Sequence, residues 1–126
     1  MKQLFLKVFL ALSFVLIALN LAAQTDDPAA TIGGFKNGSI KRADLIAVEK
    51  ILPNNSNIII VSFTMSYPIG NDDLVELVSK SDKITQEMKD SFKKVKAGTE
   101  ISFENIKAKR DDKTIILESV ILKLTD

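Results

Sequence analysis

The residues with chemistry to offer are three acidic pairs, Asp26-Asp27, Asp72-Asp73 and Asp111-Asp112, and the lysines Lys89, Lys93, Lys94 and Lys96. The chain has no His and no Cys. That removes Ser-His and Cys-His dyads, imidazole and thiolate metal ligands, disulfides and thiol-linked lipid anchors. An oxygen-only calcium site needs about six to eight spaced ligands, and Asn71-Asp72-Asp73 lacks the alternating spacing of such a loop. Turn chemistry accounts for the acidic pairs, since Asp and Asn favour turns. The lysines alternate with Glu87 and Asp90, as on a solvated helix face. Gly33-Gly34 is followed by no Gly-Lys-Ser/Thr, so it is no phosphate loop. No catalytic, cofactor-binding or metal-ligating set is expected, and an enzyme is the least favoured class. Lys+Arg 17 against Asp+Glu 16 leaves no field that would draw in nucleic acid.

Residues that bind without reacting are fewer. Of the aromatics beyond the N-terminus, Phe63, Tyr67, Phe92 and Phe103 fit apolar stripes of strands or helices, and Phe35 does not. Phe35 beside Gly33-Gly34, and Ile69 in the turn Pro68-Ile69-Gly70, are the candidate binding residues. Each sets an apolar side chain in a Gly- or Pro-marked turn, where burial in the chain's own core is least assured.

The elements that must position them follow from pattern. Met1 to Ala23 reads as a secretory signal peptide: Lys2 and Lys7 precede the apolar run Val8 to Leu19, and Leu21-Ala22-Ala23 closes it. Twelve residues fall short of a membrane span of about 20, so no stable span is expected after cleavage. The cut is placed after Ala23, with Ala22 open as the alternative. Residues 24–29 form a short polar leader and 30–126 the domain. Losing two lysines turns the slight basic excess into a slight acidic one.

Ala29 to Ile32 reads as a short strand, and Asn37-Gly38 as a tight turn. Leu45, Val48 and Leu52 recur at helical spacing, predicting a helix over Lys41 to Leu52 with Ser39 as candidate cap. Ile58 to Tyr67 is the strongest strand; its β-branched start suggests burial on both faces, with Val61, Phe63, Met65 and Tyr67 on one side. Asp73 to Val78 is a second strand. Thr85 caps a helix reaching about Lys96, with Gly98 as its left-handed terminator. In Glu100 to Ala108 the apolar parity changes between Ile101/Phe103 and Ile106/Ala108, which calls for a bulge near Glu104-Asn105. Thr114 to Leu117 and Val120 to Leu124 are strands weakly joined at Glu118-Ser119. The order β, α, β, β, α, β, β predicts an α+β fold: one small domain, mostly antiparallel sheet, with two amphipathic helices on one face.

Ile32-Gly33-Gly34, Gly38-Ser39-Ile40-Lys41 with Asp44-Leu45, Val61-Ser62-Phe63-Thr64 and the run Gly98 to Lys109 come in an order and spacing that resembles the C-terminal domain of the gliding-motility GldM (PorM) family of type IX secretion. The resemblance covers about Ala30 to Leu124. It implies a periplasmic, β-rich, non-catalytic domain that binds another exported protein, such as a component of the secretion ring. Asn54-Asn55-Ser56-Asn57 departs from the family where an aromatic is usual, and Asp111-Asp112 where a turn Gly is usual. The expectation is a free-standing relative without the family's membrane anchor, unable itself to transmit motion. The competing expectation is a stand-alone exported interaction or inhibitor domain.

Overall fold

A computed structural model describes residues 27–126. The expected signal peptide, its cleavage point and the start of the polar leader lie outside the described residues. The domain is α+β, dominated by antiparallel pairing, with two helices, as the pattern predicts.

Ala30–Thr31 (β1) pairs antiparallel with Leu52–Pro53 (β3) as a separate two-stranded sheet. Asn54 reinforces it: its side-chain amide accepts from Ala29 N at 3.0 Å and donates to the Asp27 carbonyl at 2.7 Å. The polar Asn run therefore pins the start of the domain. The main sheet holds six strands. They are Asn37–Lys41 (β2), Ile58–Ile69 (β4), Asp73–Ser79 (β5), Glu100–Arg110 (β6), Lys113–Leu117 (β7) and Val120–Thr125 (β8). The order is β2-β8-β6-β4-β5. β7 and β8 follow one another along the same side of β6, opposite residues 106–110 and 100–103 respectively, with the break at Glu118-Ser119 where the sequence placed it.

Two strands bulge. Asn105 has φ +49°, and the β4–β6 register slips on either side of Ser62↔Lys107. This bulge puts Ile101, Phe103, Ile106 and Ala108 on one buried face, as the parity change required. The compensating irregularity around Val61 was not expected. Ile58, Ile60, Phe63 and Met65 are buried while Ile59 and Val61 are exposed. The start of β4 is thus covered on one face only, and Val61 does not share the side of Phe63.

The helices are Arg42–Ala47 (α1) and Gln86–Lys94 (α2). The Thr85 hydroxyl accepts from Met88 N at 3.2 Å, confirming that cap. α1 is shorter than the Lys41 to Leu52 pattern predicts. Its chain leaves the helix at Val48, Ile51 turns into the core, and Leu52 enters β3. Of the periodic residues, Leu45 is buried, Val48 is half-buried and Leu52 is exposed, so the pattern ran on past the end of the helix. Ser39 and the Asn37-Gly38 pair lie inside β2, so neither is a cap or a turn. That strand pairs in parallel with β8, and the Asn37 amide oxygen accepts from Ile121 N at 2.9 Å. Gly98 keeps its positive φ (+92°) but sits four residues beyond the helix end and donates to the Leu124 carbonyl.

Leu45, Met88 and Phe92 bring both helices onto the inner sheet face. Phe103 is central there, its ring centroid 6.1 Å from Phe63 and 6.2 Å from Phe92, in the tilted geometry aromatic pairs prefer.

Candidate functional site

Phe35 closes a two-residue loop. Ile32 and Phe35 exchange backbone hydrogen bonds of 2.9 and 3.0 Å around Gly33 and Gly34, both at positive φ. Gly33 is doubly required, since a Cβ there would also lie 3.1 Å from the Val48 side chain. The loop holds Phe35 outward at 41% exposure. Ile69 is 50% exposed, but it belongs to β4, opposite Asp73, and the turn proper starts at Gly70 with φ +64°. The expected Pro68-Ile69-Gly70 turn is therefore displaced by two residues. Phe35 precedes β2 at one edge of the sheet, and Ile69 lies three strands away on β4, about 14 Å across the sheet at ordinary strand spacing. The two do not form one surface.

The residues that the sequence reading missed lie on β5. This strand pairs with β4 alone, so its other side is a free edge of the sheet among the described residues. Its outward positions are Leu74, Glu76 and Val78, with Leu74 56% and Val78 62% exposed. Natural sheets blunt free edges with short, charged or Gly- and Pro-rich strands. The opposite edge, β2, follows that rule with Asn37, Gly38, Ser39 and Lys41. β5 departs from it with an apolar pair around a single carboxylate. The signal was present as apolar residues at both parities of Asp73 to Val78. Without the strand order, that pattern reads equally well as burial on two faces.

Two of the remaining exposed apolar residues, Ile59 and Ile116, are diluted by lysines. Ile59 lies opposite Lys109 and Ile116 opposite Lys107 on the outer face, where lysine stems cover apolar surface while their charges stay in water. Ser66 donates to Glu104 at 2.9 Å on the same face.

Ile69 also lines a cleft of about 550 Å³ between the end of β4 and the last turn of α2. Its floor is Tyr67, Pro68, Ile69 and Val95, and its rim carries Lys94 and Lys96. Lys89, by contrast, is tied to Glu49 at 3.0 Å. On the exposed face of α2, Gln86 donates to Asp90 at 3.0 Å. Asp111 and Asp112 form the tip of the β6–β7 hairpin, both at positive φ. No group of three or more metal-ligating side chains occurs among the described residues. No helix among them is long and apolar enough to cross a membrane.

No protein-family model matches the chain, and no curated protein is significantly similar to it in sequence.

Proposed function

We propose that the chain is an exported, non-enzymatic protein-binding module that works with type IX secretion or gliding-motility machinery in the periplasm or beyond it. The observation that carries the binding reading is the free β5 edge, with Leu74 and Val78 exposed on a strand paired on one side only. An extended segment of a partner adds to such an edge through main-chain hydrogen bonds and gains specificity from alternate side chains. Two copies of this chain are poor partners for each other there. Antiparallel pairing about the centre of β5 sets Glu76 against Glu76, and like charges directly opposite are destabilising. The fitting strand is therefore another protein's, basic where it meets Glu76 and apolar on either side. Export is supported by the Lys-flanked apolar run before Ala23, and the non-enzymatic reading by a composition without His or Cys. The link to secretion machinery is supported by the order of motifs from Ile32 to Lys109.

Tagged protein expressed in its own cells tests the reading. The purified form should have the mass of a chain starting at Gln24, and it should co-purify with an exported protein of the secretion ring. Val78→Lys should abolish that recovery and leave the unfolding midpoint within the range of ordinary surface changes, about 0.5 kcal/mol. Recovery of the whole chain with Met1 intact refutes export. Recovery of an exported partner from outside that machinery supports the stand-alone interaction or inhibitor reading instead.

A further inference from the structure

The cleft beside Ile69 is set apart by the sign of its charge. Lys94 and Lys96 line it, and no carboxylate does; Asp72, in the turn that follows, and Asp73, at the start of β5, are not part of its lining. Two other clefts carry both signs of charge: one of about 430 Å³ beside β2 and β8 sets Glu100 against Lys123, and one of about 330 Å³ beside β7 balances Asp27 and Glu118 against Lys36 and Arg110. Neither Lys94 nor Lys96 has a carboxylate within ion-pair distance among the described residues. Nor does the end of α2 occupy them. Cations near a helix C-terminus commonly serve its unpaired carbonyls, but here Arg42 takes that role from another element. Its Nη1 donates to the Phe92 and Val95 carbonyls at 2.6 Å each. The two ammonium groups therefore face a partly apolar cleft with no internal partner.

We propose that this cleft receives an acidic, apolar peptide segment of a partner protein. One bulky apolar side chain lies on the Tyr67, Ile69 and Val95 floor, and flanking carboxylates meet Lys94 and Lys96. The volume is within the ordinary range of ligand sites, about 300–1,000 Å³. Exposed ion pairs are individually weak, so the apolar residue supplies most of the affinity and the lysines select the sign of its neighbours. The inference rests on the protein-binding reading but uses a surface other than the β5 edge, so the two fail separately.

The protein carries its own reporter. Tyr67, on the cleft floor, is the single tyrosine, and there is no tryptophan. The test is a titration of Tyr67 fluorescence in protein purified from the cells that export it, using short capped peptides free of Tyr and Trp. A peptide with Phe between aspartates should give a saturable change. Its counterparts with Phe between lysines, or with Ala between aspartates, should bind about tenfold more weakly or worse. Salt raised from about 0.01 M to about 1 M should weaken the acidic peptide, because the paired charges are exposed. Lys94→Gln with Lys96→Gln should cost about tenfold in affinity with the unfolding midpoint unchanged. Val78→Lys should leave the titration untouched even where it abolishes partner recovery. Equal binding of the lysine-flanked peptide, or indifference to the double Gln substitution, overturns the proposal. So does decanoate binding more tightly than the acidic peptide, which would make this a site for lipid-like anions.

Discussion

Replacing Arg42 with Met should cost the domain about 2–3 kcal/mol, a large part of the roughly 5–15 kcal/mol that holds a domain folded. Arg42 is the first residue of α1, and its guanidinium joins three separate pieces of chain. Nη1 donates to the carbonyls of Phe92 and Val95, and Nε donates to Asp126 at 2.7 Å. A hydrogen bond to a charged group contributes about 1.5–3 kcal/mol. Two such bonds would give up to about 6 kcal/mol if they were independent and dry. They are neither: one nitrogen serves both carbonyls, and the side chain is 22% exposed, so water can replace part of what is lost. The Asp126 pair adds little, because that carboxylate is 67% exposed and exposed pairs contribute about 0–1 kcal/mol. Asp126→Asn should therefore cost under about 1 kcal/mol. Arg42→Lys should fall between the two, since an ammonium keeps the charge but not the planar fork. Urea unfolding followed by circular dichroism, with m-values compared across variants, gives all three numbers. Were Arg42→Met to cost less than Asp126→Asn, the bonds to the α2 carbonyls would contribute nothing, and the account of why Lys94 and Lys96 are free would fall with them.

Two other expectations concern the sheet. Phe63→Ala should cost about 3–5 kcal/mol, as full burial against Phe103 requires, whereas Ile59→Ala, four residues away on the same strand but 68% exposed, should stay within about 0.5 kcal/mol; similar losses at both sites in urea unfolding would contradict the bulge in β4. Asp112→Gly should stabilise the protein by about 0.5–1 kcal/mol, because Asp112 holds φ +66° in a two-residue hairpin loop where glycine carries no Cβ penalty; a lower melting temperature would mean that the carboxylate has a structural partner.

What the sequence disclosed, and what it hid, follows the range of the forces involved. The bulge at Asn105 was legible because its flanks are sharply patterned: Ile101 and Phe103 obey one parity, and Ile106 and Ala108 the other. The bulge at Val61 was hidden because Ile58 to Val61 are all apolar, so no parity exists to break. The Thr85 cap is a local hydrogen bond with a local signature. The end of α1 was not legible, because Val48, Ile51 and Leu52 keep an apolar rhythm after the backbone has left the helix, although only Ile51 is fully buried and Leu52 stays exposed. Parallel pairing of β2 with β8 has no local signature, which is why Asn37-Gly38 reads as a turn in isolation. Of the site, Ile69 was legible as an apolar residue beside a turn. The β5 edge and the lysine-rimmed cleft depend on strand order and on where Arg42 reaches, neither of which any window of sequence contains.

The pairing of β2 with β8 bears on the order of events as the chain is made. Asn37 and Ile121, like Arg42 and Asp126, meet across a separation of 84 residues. A polypeptide synthesised from its N-terminus presents β2 early and its partner last. Until residues 120–125 emerge, Ile40 has no sheet to join, and the C-terminal end of α2 lacks the anchor that Arg42 and Asp126 complete together. Closing contacts so distant in sequence slows folding. Here the same delay works as a timer. The β2 edge stays open, and the domain locks only when β8 has emerged to pair with it.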